Sequence, residues 1–203
     1  SLILELVQGE GGVLPLDKDF VKIARQLTEE NDIVLILDEI QTGMGRTGKL
    51  FAYEHYGIVP DVMTLAKGLG NGFPVGTMVI AEKFAGLMSA GTHGSTFGGN
   101  HLAARAAYKT LKIIITRDLL LNVEALSDFF FRRLRAMQVK LPAIKDVRGL
   151  GLHIGIEIDR PGAGLVELCR ERGLLINCTH ETTIRLVPPL NLSLESAAEG
   201  LDI

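Results

Sequence analysis

Ile33-Val34-Leu35-Ile36-Leu37-Asp38-Glu39-Ile40-Gln41-Thr42-Gly43 opens as an unbroken aliphatic run and stops abruptly on two carboxylates. A run without polar alternation reads as a strand of a buried parallel sheet. Ahead of it, Asp17 to Glu30 carries Phe20, Val21, Ala24 and Leu27 at helical spacing, and Leu2 to Val7 reads as an earlier strand. Strand, helix and strand in succession predict an α/β unit. Further along, Asp61 to Ala66 and Pro74 to Ile80 read as strands ending in glycine-bearing turns, and Glu82 to Ser89 as a short helix. From Asn100 helices take over: one to about Ile115, then one from Asp118 to about Met137 with Leu119, Leu120, Val123, Leu126 and Phe130 as its apolar stripe. After Pro142 the pattern gives a strand over Leu152 to Ile158, a helix over Gly164 to Glu171, and strands at Leu174 to Asn177 and Ile184 to Val187. The expected organisation is residues 1–108 as part of a large parallel-sheet domain and 109–203 as a smaller α/β domain with connecting helices.

The bulk properties narrow the partners. Of 203 residues, 47% are hydrophobic and 22% charged, a globular balance, and the net charge of −3 supplies no basic field for nucleic acid. Cys169 and Cys178 lack paired metal or redox spacing, so no metal site is expected and a reducing cytoplasm fits. No apolar run reaches the roughly 20 residues a membrane helix needs. Ser1 to Val7 reads as a strand entered without a leader, and Leu194 to Ile203 as a helix without a C-cap signal, so a chain cut at both ends is expected.

Three stretches carry chemistry. Asp38 ends an apolar strand. It reads either as a turn cap accepting backbone N–H groups or as the carboxylate facing a cationic ring nitrogen. Lys67 ends the strand Asp61 to Ala66 and enters Gly68-Leu69-Gly70-Asn71-Gly72. It reads either as a solvated surface lysine or, at the mouth of a core strand, as a partly buried amine suited to imine chemistry. Gly94-Ser95-Thr96-Phe97-Gly98-Gly99-Asn100 opens the next helix, and glycines and hydroxyls there suit a phosphate or an ordinary cap.

Taken together, Glu5 to Gly12, Asp38 to Gly48, Pro60 to Gly70, His93 to Asn100, Val147 to Gly151 and Ile184 to Leu190 resemble the class III (ω-amino) aminotransferases in order and spacing. The resemblance covers essentially the whole chain and implies the type I pyridoxal-phosphate aminotransferase fold. It implies Lys67 as the Schiff-base lysine, Asp38 as the pyridinium partner, Ile40 packed on the ring face and Gln41 bonded to the ring's phenolic oxygen. By the same resemblance, Thr96 reaches the phosphate of the neighbouring subunit's pyridoxal 5'-phosphate and Ser95 lies beside the substrate. A homodimer with a shared site follows. Arg185 would grip an α-carboxylate, and Glu10 would be the acid that pairs with it, although a surface ion pair contributing little is the plainer reading of that arginine.

Two departures stand out. Glu5-Leu6 replaces the family's usual Glu-Pro, which removes no reacting group. Family members are also about twice as long, and the half absent here carries the main phosphate loop, the aromatic residue stacked on the ring and the distal carboxylate-binding arginine. Met44 to Tyr53 and Thr64 to Lys67 resemble acetylornithine enzymes more than ornithine ones. The expected reaction moves the side-chain amino group of N-acetylornithine to 2-oxoglutarate in arginine biosynthesis. Rivals are the ornithine, succinylornithine and 4-aminobutyrate enzymes, or a noncatalytic fragment of one of them.

Overall fold

The computed structural model describes residues 1–203. In chain order the elements are β1 (Leu2–Leu4), β2 (Val7–Gln8), β3 (Leu14–Pro15), α1 (Lys18–Glu30), β4 (Leu35–Asp38), β5 (Val62–Leu65), β6 (Thr77–Ile80), α2 (His101–Thr116), α3 (Leu119–Lys140), β7 (Ile144–Leu150), β8 (His153–Ile158), α4 (Ala163–Glu171), β9 (Asn177–Thr179), β10 (Thr183–Leu186) and α5 (Leu194–Asp202). Short 3-10 turns cover Ala52–His55, Lys67–Leu69 and Glu82–Leu87. No helix is long and apolar enough to cross a membrane. The chain divides into two compact units, one of Ser1–Leu6, Asp17–Met44 and Lys49–Arg117, the other of Val7–Leu16, Gly45–Gly48 and Asp118–Ile203.

The first unit is built on a sheet of order β1-β4-β5-β6. β1, β4 and β5 are parallel, while β6 runs antiparallel to β5 at the edge. The aliphatic run is not buried on both faces. Leu35 and Leu37, with Met63 and Leu65 beside them, are buried, whereas Ile36, Asp38, Val62 and Thr64 on the alternate face are half-buried. α1 starts where Asp17 accepts the N–H groups of Asp19 and Phe20, both at 2.9 Å. Its buried face is Val21, Ala24, Arg25 and Thr28, so the expected apolar pair Phe20 and Leu27 stands outside. The face turns because Arg25 is drawn inward by Asp61, at 3.0 Å, and by the Val59 carbonyl. Asp61 also receives Lys83 at 2.7 Å and the Leu35 N–H at 2.8 Å. Burial pushes its carboxyl up, but these bonds outweigh that and hold it below the usual range.

The second unit has an antiparallel sheet of order β7-β8-β10-β9 with two unlike faces. Val147, Ile154, Ile156, Ile158 and Ile184 form one face and pack with Val123, Leu126, Phe130 and Leu134 of α3 as the core. Side chains alternate across a strand, so Arg148, Gly155, Glu157, Thr183, Arg185, Asn177 and Thr179 share the other face. The hairpin β2–β3 belongs to this unit, and so Leu2 to Val7 is not one strand: pairing with β4 ends at Leu4, and the turn Gly9–Gly12 folds Val7–Gln8 back on Leu14–Pro15. Gly155 gives that turn its seat, because a Cβ there would lie 2.9 Å from the Val13 Cβ. Arg46 is also part of this unit. Its Nη1 donates to the carbonyls of Leu152 (3.2 Å) and Pro188 (2.5 Å), and burial pushes its guanidinium down to about 10.

The strand β7 escapes sequence pattern because Lys145, Asp146 and Arg148 interrupt its alternation and its register shifts between Ile144 and Asp146. Arg148 Nη2 donates to Glu157 at 2.7 Å, and Thr183 donates to the same carboxylate at 2.8 Å. Burial raises the Glu157 carboxyl, but the hydroxyl of Thr182, Arg148 and Thr183 overcome it and bring it down to about 2. A carboxyl held below its unfolded value stabilises the fold above pH 4.5, and that contribution is lost as pH falls toward 2. Its side chain is 26% exposed. Solvent screening then leaves roughly 1–2 kcal/mol at neutral pH. Urea unfolding of Glu157→Gln should therefore show a deficit of that size at pH 7 that shrinks by more than half at pH 3. A deficit independent of pH would contradict the charge network.

Candidate active site

Asp38 is the last residue of β4 and stands opposite Thr64 on the parallel strand β5. Parallel partners point to the same face, so the carboxylate and the Thr64 hydroxyl are neighbours at the carboxyl edge of the sheet. The chain leaves β5 through Ala66 into the turn Lys67–Leu69, which sets Lys67 at the end of the strand next to that of Asp38. This is where an open α/β sheet gathers ligands. Asp38 Oδ1 accepts the Ile40 N–H at 2.9 Å, so one oxygen fixes the turn. The turn-cap reading of Asp38 is thus observed on Oδ1.

Lys67 is exposed rather than partly buried, because its neighbours in the turn, Gly68 and Gly70, offer no side chains to cover it. Its backbone is unusual: φ is 42°, a left-handed conformation costly for a residue with a Cβ. The turn is closed by Leu69 N–H to Ala66 O at 2.9 Å and Gly70 N–H to Lys67 O at 3.2 Å. Only glycine fits at position 70, where a Cβ would sit 2.0 Å from the Phe73 carbonyl oxygen.

The loop after β4 is held by Glu39, which is 1% exposed. Its carboxylate accepts the Thr42 hydroxyl (2.5 Å) and the N–H groups of Ala52 (3.0 Å) and Tyr53 (2.9 Å). Its own N–H donates to Thr64 O at 3.0 Å. Burial raises this carboxyl, and the three donors only partly offset it. Glu39 thus ties the turn bearing Asp38, Ile40 and Gln41 to both β5 and the 52–53 segment. Sequence pattern missed it because the adjacent Asp38 offers the same chemistry. Ile40 and Gln41 are half-buried in this turn.

The hydroxyls around 95 are not the ordinary cap of the next helix. Ser95 and Thr96 lie in an exposed stretch, and the cap of α2 is Asn100, which accepts the Ala103 N–H at 3.0 Å. Ser95 Oγ instead accepts the Gly98 N–H at 2.8 Å. A short amide side chain at position 100 reaches the first turn, whereas the hydroxyls four and five residues upstream do not.

In the second unit, Arg185 Nη1 donates to Glu10 Oε1 at 2.7 Å. The pair is lopsided, with 13% of the arginine side chain exposed against 73% of the glutamate's. The backbone under Glu10 is anchored, since Thr179 Oγ1 donates to Glu10 O at 2.6 Å and Arg148 Nε to Gly12 O at 2.9 Å. The sequence expectation that Glu10 and Arg185 belong together is therefore matched by direct contact across 175 residues.

These residues can be tested against an aromatic cofactor carrying a basic ring nitrogen and an aldehyde. Thr64 Oγ1 is buried without a hydrogen-bond partner on the face of the sheet that carries Asp38. A carboxylate and an exposed amine on two adjacent strand ends fit such a group. Among proteins of known activity, the chain is similar to the acetylornithine aminotransferase of Methanocaldococcus jannaschii, 47% identical over 94% of this chain and 48% of that protein. It is also similar to the succinylornithine transaminase of Citrobacter koseri, 43% identical over 100% of this chain and 50% of that protein. The chain spans about half the length of the curated relatives it matches. It superposes on the ornithine aminotransferase of Toxoplasma gondii, whose structure has partial occupancy of pyridoxal phosphate at its active site, with a TM-score of 0.92 and 35% identity over 98% of this chain and 49% of that one. The class III aminotransferase profile matches residues 1–203 without interruption, and with the motif order, the fold and the paired strand ends in agreement, the chain belongs to the class III aminotransferases.

Proposed function

We propose that this chain is the later half of a pyridoxal-phosphate aminotransferase that moves the side-chain amino group of N-acetylornithine to 2-oxoglutarate, within arginine biosynthesis and in the cytoplasm. The observation that carries the reading is the placement of Asp38 and Lys67 at the carboxyl ends of adjacent parallel strands. When bound, the cofactor supplies an electron sink for the pair of electrons left as the substrate carbon loses its proton. Lys67 is the residue proposed to hold it covalently and then, as a free amine, to take that proton and return it. Asp38 would keep the ring nitrogen protonated by charge. Gln41 would donate to the phenolic oxygen, Ile40 would cover the ring face, and Ser95 would lie beside the substrate. Thr96 would serve the phosphate of a neighbouring subunit, so the working form is proposed to be a homodimer. The 203 residues alone are expected to be inactive, because they cover half of what their relatives use.

Arg185 is proposed to hold the α-carboxylate of glutamate or 2-oxoglutarate through its planar fork. The ω-amine donor reacts at a carbon that bears no carboxylate, so in that half-reaction the fork must be neutralised, and Glu10 does this at 2.7 Å. Single-turnover kinetics on the complete enzyme test both points. N-acetylornithine should exceed ornithine, succinylornithine and 4-aminobutyrate in kcat/KM by at least about tenfold. Arg185→Lys should slow the glutamate half by about 10- to 100-fold and the ω-amine half by little, while Glu10→Ala should lower discrimination against α-amine transfer. Equal slowing of both halves by Glu10→Ala, with the ω-preference unchanged, would make Glu10 structural.

A further inference from the structure

We infer that Asn177 is a positioning residue for Arg185: an uncharged acceptor that keeps the guanidinium presented when Glu10 swings away. The inference rests on the carboxylate-binding reading of Arg185 given above. Asn177 lies directly opposite Arg185 in the antiparallel pair β9–β10, on the polar face of the sheet. Its amide meets the guanidinium in either orientation. In one, Oδ1 accepts from Arg185 Nε at 3.3 Å. Turned over, the oxygen accepts from Nη2 at 2.9 Å and the nitrogen donates to the Arg185 carbonyl at 3.3 Å.

Glu10 and Asn177 differ in what they can do to the fork. Glu10 approaches Nη1 from solvent on a side chain 73% exposed, and the turn beneath it is pinned by Thr179 and Arg148. A rotation of the Glu10 side chain therefore uncovers Nη1 without moving the backbone. Arg185 would then have lost a charged partner, and any rotamer freedom its long side chain gained would have to be given up again for each substrate at a cost in conformational entropy. Asn177, fixed on a strand, removes that cost. Being neutral, it orients the cation without cancelling its charge, which a carboxylate at the same place would do. Two residues further along β9, Thr179 holds the Glu10 carbonyl, so one edge of this strand sets both the clamp and its cover.

The test uses the complete, cofactor-loaded enzyme and glutarate, an unreactive dicarboxylate, with affinity measured by calorimetry. Asn177→Asp should weaken glutarate by at least about tenfold, and Asn177→Ala by about three- to tenfold, each with an unchanged circular-dichroism spectrum. The single-turnover rate with N-acetylornithine should stay within about twofold of the parent, a split that a general loss of structure does not give. If Arg185→Lys weakens glutarate while both Asn177 variants bind it within twofold of the parent, the Asn177 role is wrong and the Arg185 reading stands. If Arg185→Lys also binds glutarate normally, both are overturned.

Discussion

Lys67→Ala is expected to lower turnover by on the order of 10,000-fold or more in the complete enzyme, the largest effect of any single change in this chain. Two functions are lost together, the covalent hold on the cofactor and the amine that carries the substrate proton. The fold itself should survive. Lys67 is exposed, and its side chain contributes nothing to the core. Its left-handed φ of 42° is conformationally costly, so alanine at this position inherits the strain without adding to it. Thermal unfolding within a degree or two of the parent when both are free of cofactor, with turnover abolished, is the predicted combination. Turnover within tenfold of the parent would remove Lys67 from the chemistry.

Asp38→Asn should reduce turnover by roughly 100- to 1,000-fold, because an amide matches the carboxylate in shape but cannot hold a proton on a ring nitrogen by charge. The substitution separates the two readings of this residue. The turn needs only an oxygen that accepts the Ile40 N–H at 2.9 Å, and asparagine provides one. A purely structural Asp38 therefore predicts near-normal turnover in Asp38→Asn, and a functional one predicts a stable protein with little activity. Asp38→Ala, which breaks the turn as well, should lose stability in addition.

What could be read from the sequence was set by how local its physical cause is. The aliphatic run ending at Leu37, the helix starting near Asp17 and the stripe on α3 are patterns of near neighbours, and each corresponds to an element of the fold, β4, α1 and α3. The buried face of α1 was misread because Arg25 is drawn in by Asp61, 36 residues away, and no local pattern carries that pairing. β7 was missed for a related reason: Arg148 points to Glu157 and Gly12, so a charge that looks solvent-bound in sequence is a partner within a polar sheet face. The placement of Asp38 and Lys67 at strand ends is legible because strands that run into turns are local signals. Glu39, Thr64 and Asn177 are not. Their importance lies in what the parallel and antiparallel registers place beside them, the backbone of Ala52 and Tyr53, Asp38 and Arg185 respectively.

Lys67 is proposed to be the residue joined to the cofactor. The direct measurement is borohydride reduction of the complete enzyme loaded with pyridoxal phosphate, followed by proteolysis and mass mapping of the modified lysine. A phosphopyridoxyl group is expected on the peptide containing Lys67, near one equivalent per chain and absent without reduction. A stoichiometric adduct on Lys49, Lys83 or any other lysine, with Lys67 recovered unmodified, would contradict it.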